Sequence, residues 1–202
     1  RERQTMADDP SGFLIEDTRS NWVRLRTLIV LRWIAIAGQI AAITVAQRFF
    51  NLNLELGLCY LAIGASIIAN LVAIFIYPEN KRLSEQEVFL TLLFDISQLA
   101  VLLFLTGGLH NPFALLILAP VTISATALTL RSTAVLGAVA IVLISLVSVF
   151  HFPLRTNDGG VMQMPDLFVF GHWAAITIGI VFEAIYARRV TSEIHSMSQA
   201  LL

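Results

Sequence analysis

The chain has 202 residues, of which 57% are hydrophobic and only 13% charged, whereas soluble domains carry about a quarter charged residues. So few charges cannot cover a water-facing surface, which excludes an ordinary soluble globule and indicates a protein embedded in a bilayer. The formal net charge of −1 hides a strong positional bias, and no direct nucleic-acid contact is expected.

The first twenty residues are polar and acidic. They lack the apolar core of a secretory signal, so 1–26 is expected to be an N-terminal tail. A membrane helix needs about 20 mostly apolar residues, and six such runs follow: 27–47, 57–77, 88–106, 112–130, 133–152 and 167–187. The connections are short except for 153–166, and there is no internal repeat and no room for a second folded domain. Runs such as "AVLGAVAIVLISLVSVF" do not alternate apolar with polar residues. A closed β-barrel, the other architecture that can span a membrane, is thereby excluded. The expected fold is an all-α membrane protein: a six-transmembrane-helix bundle over 27–187, with 188–202 beginning a C-terminal signalling helix.

Orientation follows from lysine and arginine placement. Arg1, Arg3, Arg19, Arg24, Arg26, Lys81, Arg82, Arg131, Arg188 and Arg189 fall on one side, against Arg48 and Arg155 on the other. Both termini are therefore expected in the cytoplasm, with 107–111 and 153–166 facing outward, the periplasm of a bacterial inner membrane.

Three charges lie inside spans: Arg32 in the first, Asp95 in the third and Glu183 in the sixth. A lone ion near the centre of a membrane helix costs about 2.5–3.5 kcal/mol on insertion scales. All three fall in the cytoplasmic half, so Arg32 is expected to pair with Asp95 or Glu183, with Gln98 as a further partner. Such a pair would tie spans one and three to span six. Cys59, the only cysteine, reads as a buried inert thiol. Gly64 and Ser66 suggest a close helix approach, and Pro120 should kink span four or weaken its hydrogen-bond ladder.

Between spans three and four lies "FLTGGLHNPFALL", a turn without a carboxylate, lysine or arginine. Read as a plain turn, Gly107 and Gly108 supply positive φ, Asn111 caps span four and Pro112 takes its first position. Read as a binding site, the first turn of span four offers unpaired N–H groups and a positive dipole end at the membrane boundary. Leu109 and Phe113 add apolar contact, and the glycines allow close backbone approach. A quinone headgroup, flat and bearing two carbonyl acceptors, fits such a place.

"LLFLTGGLHNPFALLILAPVTISA", with "NWVRLRTLIVLRWIAIAGQIAA" and "RRVTSEIHSMSQALL", resembles the membrane sensor portion of the RegB/PrrB-type redox-responsive histidine kinases. The resemblance runs from about residue 13 to the end. It implies a two-component, signal-transducing input module that binds ubiquinone through Gly107, Gly108, Asn111, Pro112 and Phe113, to which the reading of the turn itself adds Leu109. It further implies a cognate response regulator reached by phosphorelay; a homodimer and a respiratory oxidase are the other expected partners. The phosphorylated histidine box and the ATP-binding domain of such a kinase would lie beyond Leu202, so no catalytic residue is assigned. His195 lacks the acidic neighbour and proline of a histidine box and reads as a surface residue.

His110, His151 and His172 fall near the outer face but match no metal motif. A haem or quinone electron-transfer subunit using them would show a visible haem spectrum; a transporter is the other alternative. Ala187, Val190, Ile194, Met197 and Leu201 recur at three- and four-residue steps, the a/d pattern of a dimeric coiled coil.

Overall fold

The computed structural model describes residues 23–78 and 80–202, so most of the N-terminal tail, including Arg1, Arg3 and Arg19, lies outside the described residues. Six helical spans are present: α1 (Leu25–Arg48), α2 (Leu56–Ile76), α3 (Glu85–Leu105), α4 (Leu118–Ala127), α5 (Leu130–Val149) and α6 (Asp166–Ala200). Five are long and apolar enough to cross a membrane, and the run Pro112–Ala127 forms a shorter apolar sixth. The protein is a multi-pass helical membrane protein, as its apolar runs predict.

The fourth span departs from a regular helix. Residues Pro112–Ile117 are wound as 3-10 helix before α4 begins at Leu118. Pro120 explains where the change falls. It has no N–H, and its ring crowds the carbonyl four residues back. Placed in the first turn of α4, it loses no α-helical bond there, and the tighter winding is confined to the residues before it.

Short strands, absent from the sequence expectation, tie the loops together at each end. β1 (Val23–Arg24) pairs antiparallel with β3 (Arg82–Leu83), and Leu25 N–H reaches the Lys81 carbonyl at 3.1 Å. At the opposite end β2 (Leu52–Asn53), β4 (Leu154–Thr156) and β5 (Val161–Met162) form a small antiparallel sheet in that order. The turn at 107–111 sits at this second end, where Phe152 N–H bonds the Phe104 carbonyl at 2.8 Å. One end is thus the tail face and the other the turn face.

The centre of the bundle is α3. Half of its apolar window is buried, against 11% of that in α6. It packs on α2, α4 and α5, while α1 leans on α2 and α6 leans on α4 and α5. Val88, Leu92, Ile96 and Leu103 of α3 meet Leu136, Ile144, Ile176 and Ile180 in the main core. A second cluster around Cys59, Ile63 and Ile36 joins α1, α2 and α3. Cys59 is fully buried, as expected for an inert thiol. Gly64 differs from expectation: nothing approaches the position of its missing Cβ, so it mediates no close helix crossing, although Ser66 nearby is buried. The large apolar side chains on the outer faces, Phe75 and Leu61 among them, are suited to lipid, where an exposed apolar surface carries no penalty.

At the tail face, Ser84 caps α3: its hydroxyl accepts from Glu87 N–H and donates to Glu87 Oε1 at 3.1 Å. The spacing is that of a capping box, serine at the cap and glutamate three residues on, with the return bond made to the serine hydroxyl. Glu85 Oε1 accepts from Thr129 N–H, Thr129 Oγ1 and Ser132 Oγ, joining the starts of α3 and α5.

Candidate ligand-binding site

Two polar systems lie inside this apolar bundle. The first is the ion pair. Arg32 Nε donates to Asp95 Oδ1 at 2.8 Å, bringing α1 to α3. The same guanidinium reaches Asn70 Oδ1 at 3.5 Å and stands 5.3 Å from the centre of the Phe94 ring. Asn70, fully buried, passes its amide hydrogen to the Ile29 carbonyl at 3.1 Å. Every member therefore has a partner, the condition under which a bilayer interior tolerates charge.

The pairing with Asp95 is as expected, but two further expectations fail. Gln98 does not join the ion pair. It lies one turn farther along α3, where it exchanges amide hydrogen bonds with Gln39 at 3.0 and 3.1 Å. Glu183 does not meet Arg32 either; it accepts from Thr122 Oγ1 of α4 at 2.7 Å. α1 packs on α2, whereas α6 packs on α4 and α5, so lying in the same half of the bundle does not bring the three charges together. Asn70 and Gln39 were missing from the expected cluster. Their signal is that each is an amide set deep within an apolar span, Asn70 alone in the second and Gln39 near the middle of the first.

The second system surrounds a cavity of about 960 Å³ at the turn face. Its walls come from α1 (Gln39, Ala42), α3 and its C-cap (Leu102, Thr106), the turn and 3-10 segments, and the start of α6 (Leu167, His172). It fills the gap that opens because α1 and α6 each pack on other helices. Of the residues assigned to a quinone site, Leu109, Asn111, Pro112 and Phe113 line it. Phe113 is half exposed, at the lip.

Gly107 and Gly108 do not line it. They adopt φ of 95° and 58°, and their backbone packs closely on neighbouring protein groups. A Cβ on Gly108 would overlap the Val147 carbonyl oxygen and the His151 ring, and one on Gly107 would meet Leu154 Cβ at 3.0 Å. The glycines seat the turn against α5, the His151 ring and β4.

Asn111 does both jobs of a cap. Its Oδ1 accepts from Phe113 N–H at 3.0 Å, and its Nδ2 donates to Thr106 Oγ1 at 3.0 Å. Thr106 in turn donates to the Leu102 carbonyl at 2.6 Å. Ala114 N–H bonds the Asn111 carbonyl at 3.2 Å. The helix-end donors expected to be open are thus partly taken by the cap and the 3-10 winding.

Open hydrogen-bonding capacity lies instead on two histidines. His110 Nδ1 accepts from Met164 N–H at 2.9 Å, and His172 Nδ1 faces the Leu109 carbonyl at 2.9 Å. Neither Nε2 has a protein partner among the described residues. Burial, reinforced by His151 and opposed by Asp166, holds His110 below the ordinary imidazole pKa, which keeps the ring neutral and its Nδ1 free to accept. The His110 and His151 rings lie 5.2 Å apart. His151 is turned away, its Nδ1 on the Val147 carbonyl at 3.0 Å.

The His172 bond ties the turn to α6 directly, and the His110 bond ties it to the segment just before α6. His172 stands in the second turn of a helix of 35 residues, about 52 Å long at 1.5 Å per residue. The polar link from span three to span six expected through Glu183 is replaced by this shorter one. Farther along, Ile194, Met197 and Leu201 are exposed, as is His195; the side chains of Ala187 and Val190 lie outside the described residues.

Residues 16–160 match the family described as the PilS-like transmembrane domain. The chain is 56% identical over 193 residues to the sensor histidine kinase RegB of Cereibacter sphaeroides, a match covering 96% of this chain and 42% of that protein. A second RegB, from a named strain of the same species, is 58% identical with the same coverage. The chain spans less than half the length of these relatives. No solved structure matches it.

Proposed function

The chain belongs to the PilS-like transmembrane-domain family, and from that premise we propose that it is the redox-sensing input module of a membrane sensor histidine kinase. It takes ubiquinone into the turn-face cavity. Occupancy there sets autophosphorylation by a kinase region continuing from α6 and, through it, phosphotransfer to a response regulator. The module sits in a bacterial inner membrane with both termini cytoplasmic, an orientation that the arginine and lysine bias supports.

The observation that carries this reading is the cavity. Its volume of about 960 Å³ lies in the range of small-molecule sites, which are mostly apolar with a few polar groups that fix orientation. Leu102, Leu109 and Phe113 suit a ring and an isoprenoid tail; Gln39, His110 and His172 suit ring oxygens. The gap between α1 and α6 gives a lipid-dissolved ligand a lateral way in.

Purification in mild detergent followed by solvent extraction tests the reading. Ubiquinone is expected at about one per chain or one per two chains, and Ala42→Trp, which fills the cavity, is expected to abolish it. Extracts with no quinone, or with the same amount from the filled variant, would contradict the reading.

A homodimer completes the proposal, joined along α6 beyond the membrane. The exposure of Ile194, Met197 and Leu201 supports it, since these residues share the a/d spacing of a coiled coil. Ile194→Cys and Leu201→Cys are expected to give symmetric disulfide-linked dimers in native membranes. Their absence would remove the dimer from the account.

A further inference from the structure

The tautomers of the two cavity histidines are fixed by their protein contacts. A backbone N–H points at His110 Nδ1, so that nitrogen carries a lone pair and the proton of the neutral ring sits on Nε2. At His172 the neighbour of Nδ1 is a carbonyl oxygen, which only accepts. Nδ1 therefore carries the proton, and Nε2 of the uncharged ring is an acceptor. Both rings line the cavity. The site thus holds one imidazole donor, on the turn, and one imidazole acceptor, on α6.

We propose that His172 is the residue that distinguishes a reduced, hydroxyl-bearing ligand from its oxidised, carbonyl-bearing form. This rests on the cavity reading above and deepens it. A hydroquinone hydroxyl donates to His172 Nε2, whereas a quinone carbonyl brings lone pair against lone pair. His110 does not discriminate in this way, because its Nε2–H serves a carbonyl or a hydroxyl oxygen. The discriminating contact is therefore made on α6 itself, the helix that leads out of the membrane, and needs no relay through another span.

Asparagine separates the ligand contact from the structural one. Its amide reaches only as far as Nδ1, so His172→Asn retains a donor for the Leu109 carbonyl and deletes the acceptor in the cavity. Glutamine does the reverse, placing its amide near the Nε2 position. The test is titration of the full chain in lipid nanodiscs with decyl-tailed ubiquinone, oxidised or chemically reduced.

His172→Asn is expected to weaken binding of the reduced form by about tenfold, the upper range for one neutral hydrogen bond, and to leave the oxidised form unchanged or slightly tighter. His172→Gln is expected to stay near the wild-type ratio of affinities. His110→Asn is expected to weaken both forms by a similar factor. If His172→Asn weakens both forms equally, or neither, while the wild type binds, the assignment is overturned and the cavity reading stands. A wild-type chain that binds neither form overturns both.

Discussion

The ion-pair cluster and the turn-face cavity are built from the same kinds of residue in the same apolar bundle, yet they end in opposite conditions. Around Arg32, each polar group meets another: guanidinium with carboxylate, amide with guanidinium, amide hydrogen with the Ile29 carbonyl. Around the cavity, His110 and His172 each use one nitrogen on the protein and leave the other without a protein partner among the described residues, on rings that line the void. A polar cluster closed on itself is structure. One that keeps hydrogen-bonding capacity beside an apolar cavity is a site, because the bilayer makes an unmet polar group costly and a ligand removes that cost. The Gln39–Gln98 pair stands between the two, facing the cavity from one side and lying one turn from Asp95.

The comparison breaks most sharply at the ion pair. Asp95→Ala strands the Arg32 guanidinium and is expected to destabilise the folded bundle by about 3–5 kcal/mol, read by denaturant titration in detergent. The double exchange Arg32→Met with Asp95→Leu removes both charges and is expected to recover most of that loss. If the cluster were itself the ligand site, Asp95→Ala would cost binding in excess of stability.

Next in size is the seat of the turn. Gly108→Ala forces a side chain onto the Val147 carbonyl at φ 58° and is expected to cost about 1–3 kcal/mol through strain and overpacking. The expected sign is a lowered melting temperature with quinone affinity falling only as the turn shifts. An alanine variant of full stability that lost the ligand would return the glycines to the binding surface.

A smaller effect sharpens the cavity side. The pKa of His110 is lowered in the folded protein, mainly by burial. The folded state therefore binds fewer protons than the unfolded one between the two pKa values. Its stabilising share is present above the unfolded value of about 6.5 and is lost as the pH falls through that value toward the folded one. Melting curves from pH 8 to pH 5 are expected to show a steeper acid loss for the wild type than for His110→Asn; parallel curves would remove the effect.

Much of this architecture is legible in the sequence. Six apolar runs give six spans, "NP" gives the cap and first position of the fourth, and Arg32 opposite an aspartate too short to escape gives the pair. What stays hidden depends on azimuth rather than depth. A helix apolar on every side does not announce which face meets which neighbour, so Glu183 stood as an alternative partner for Arg32 when α6 in fact turns it to Thr122. For the same reason the α1 and α6 walls of the cavity, with Gln39 and His172, are absent from a reading centred on the turn. The role of the glycines was hidden too, because positive φ suits a ligand-facing and a protein-facing turn equally well.

The central claim is that the open hydrogen-bonding capacity beside the cavity marks where the ligand sits. Photolabelling with an azido-ubiquinone in native membranes, followed by mass spectrometry of the peptides, tests it most directly. The account predicts adducts on the cavity walls, at 38–46 of α1, 109–116 of the turn and 164–172 at the start of α6, all suppressed by excess ubiquinone. Competable adducts confined to the outward faces of α2 or α5, or to the Arg32 cluster, would contradict it.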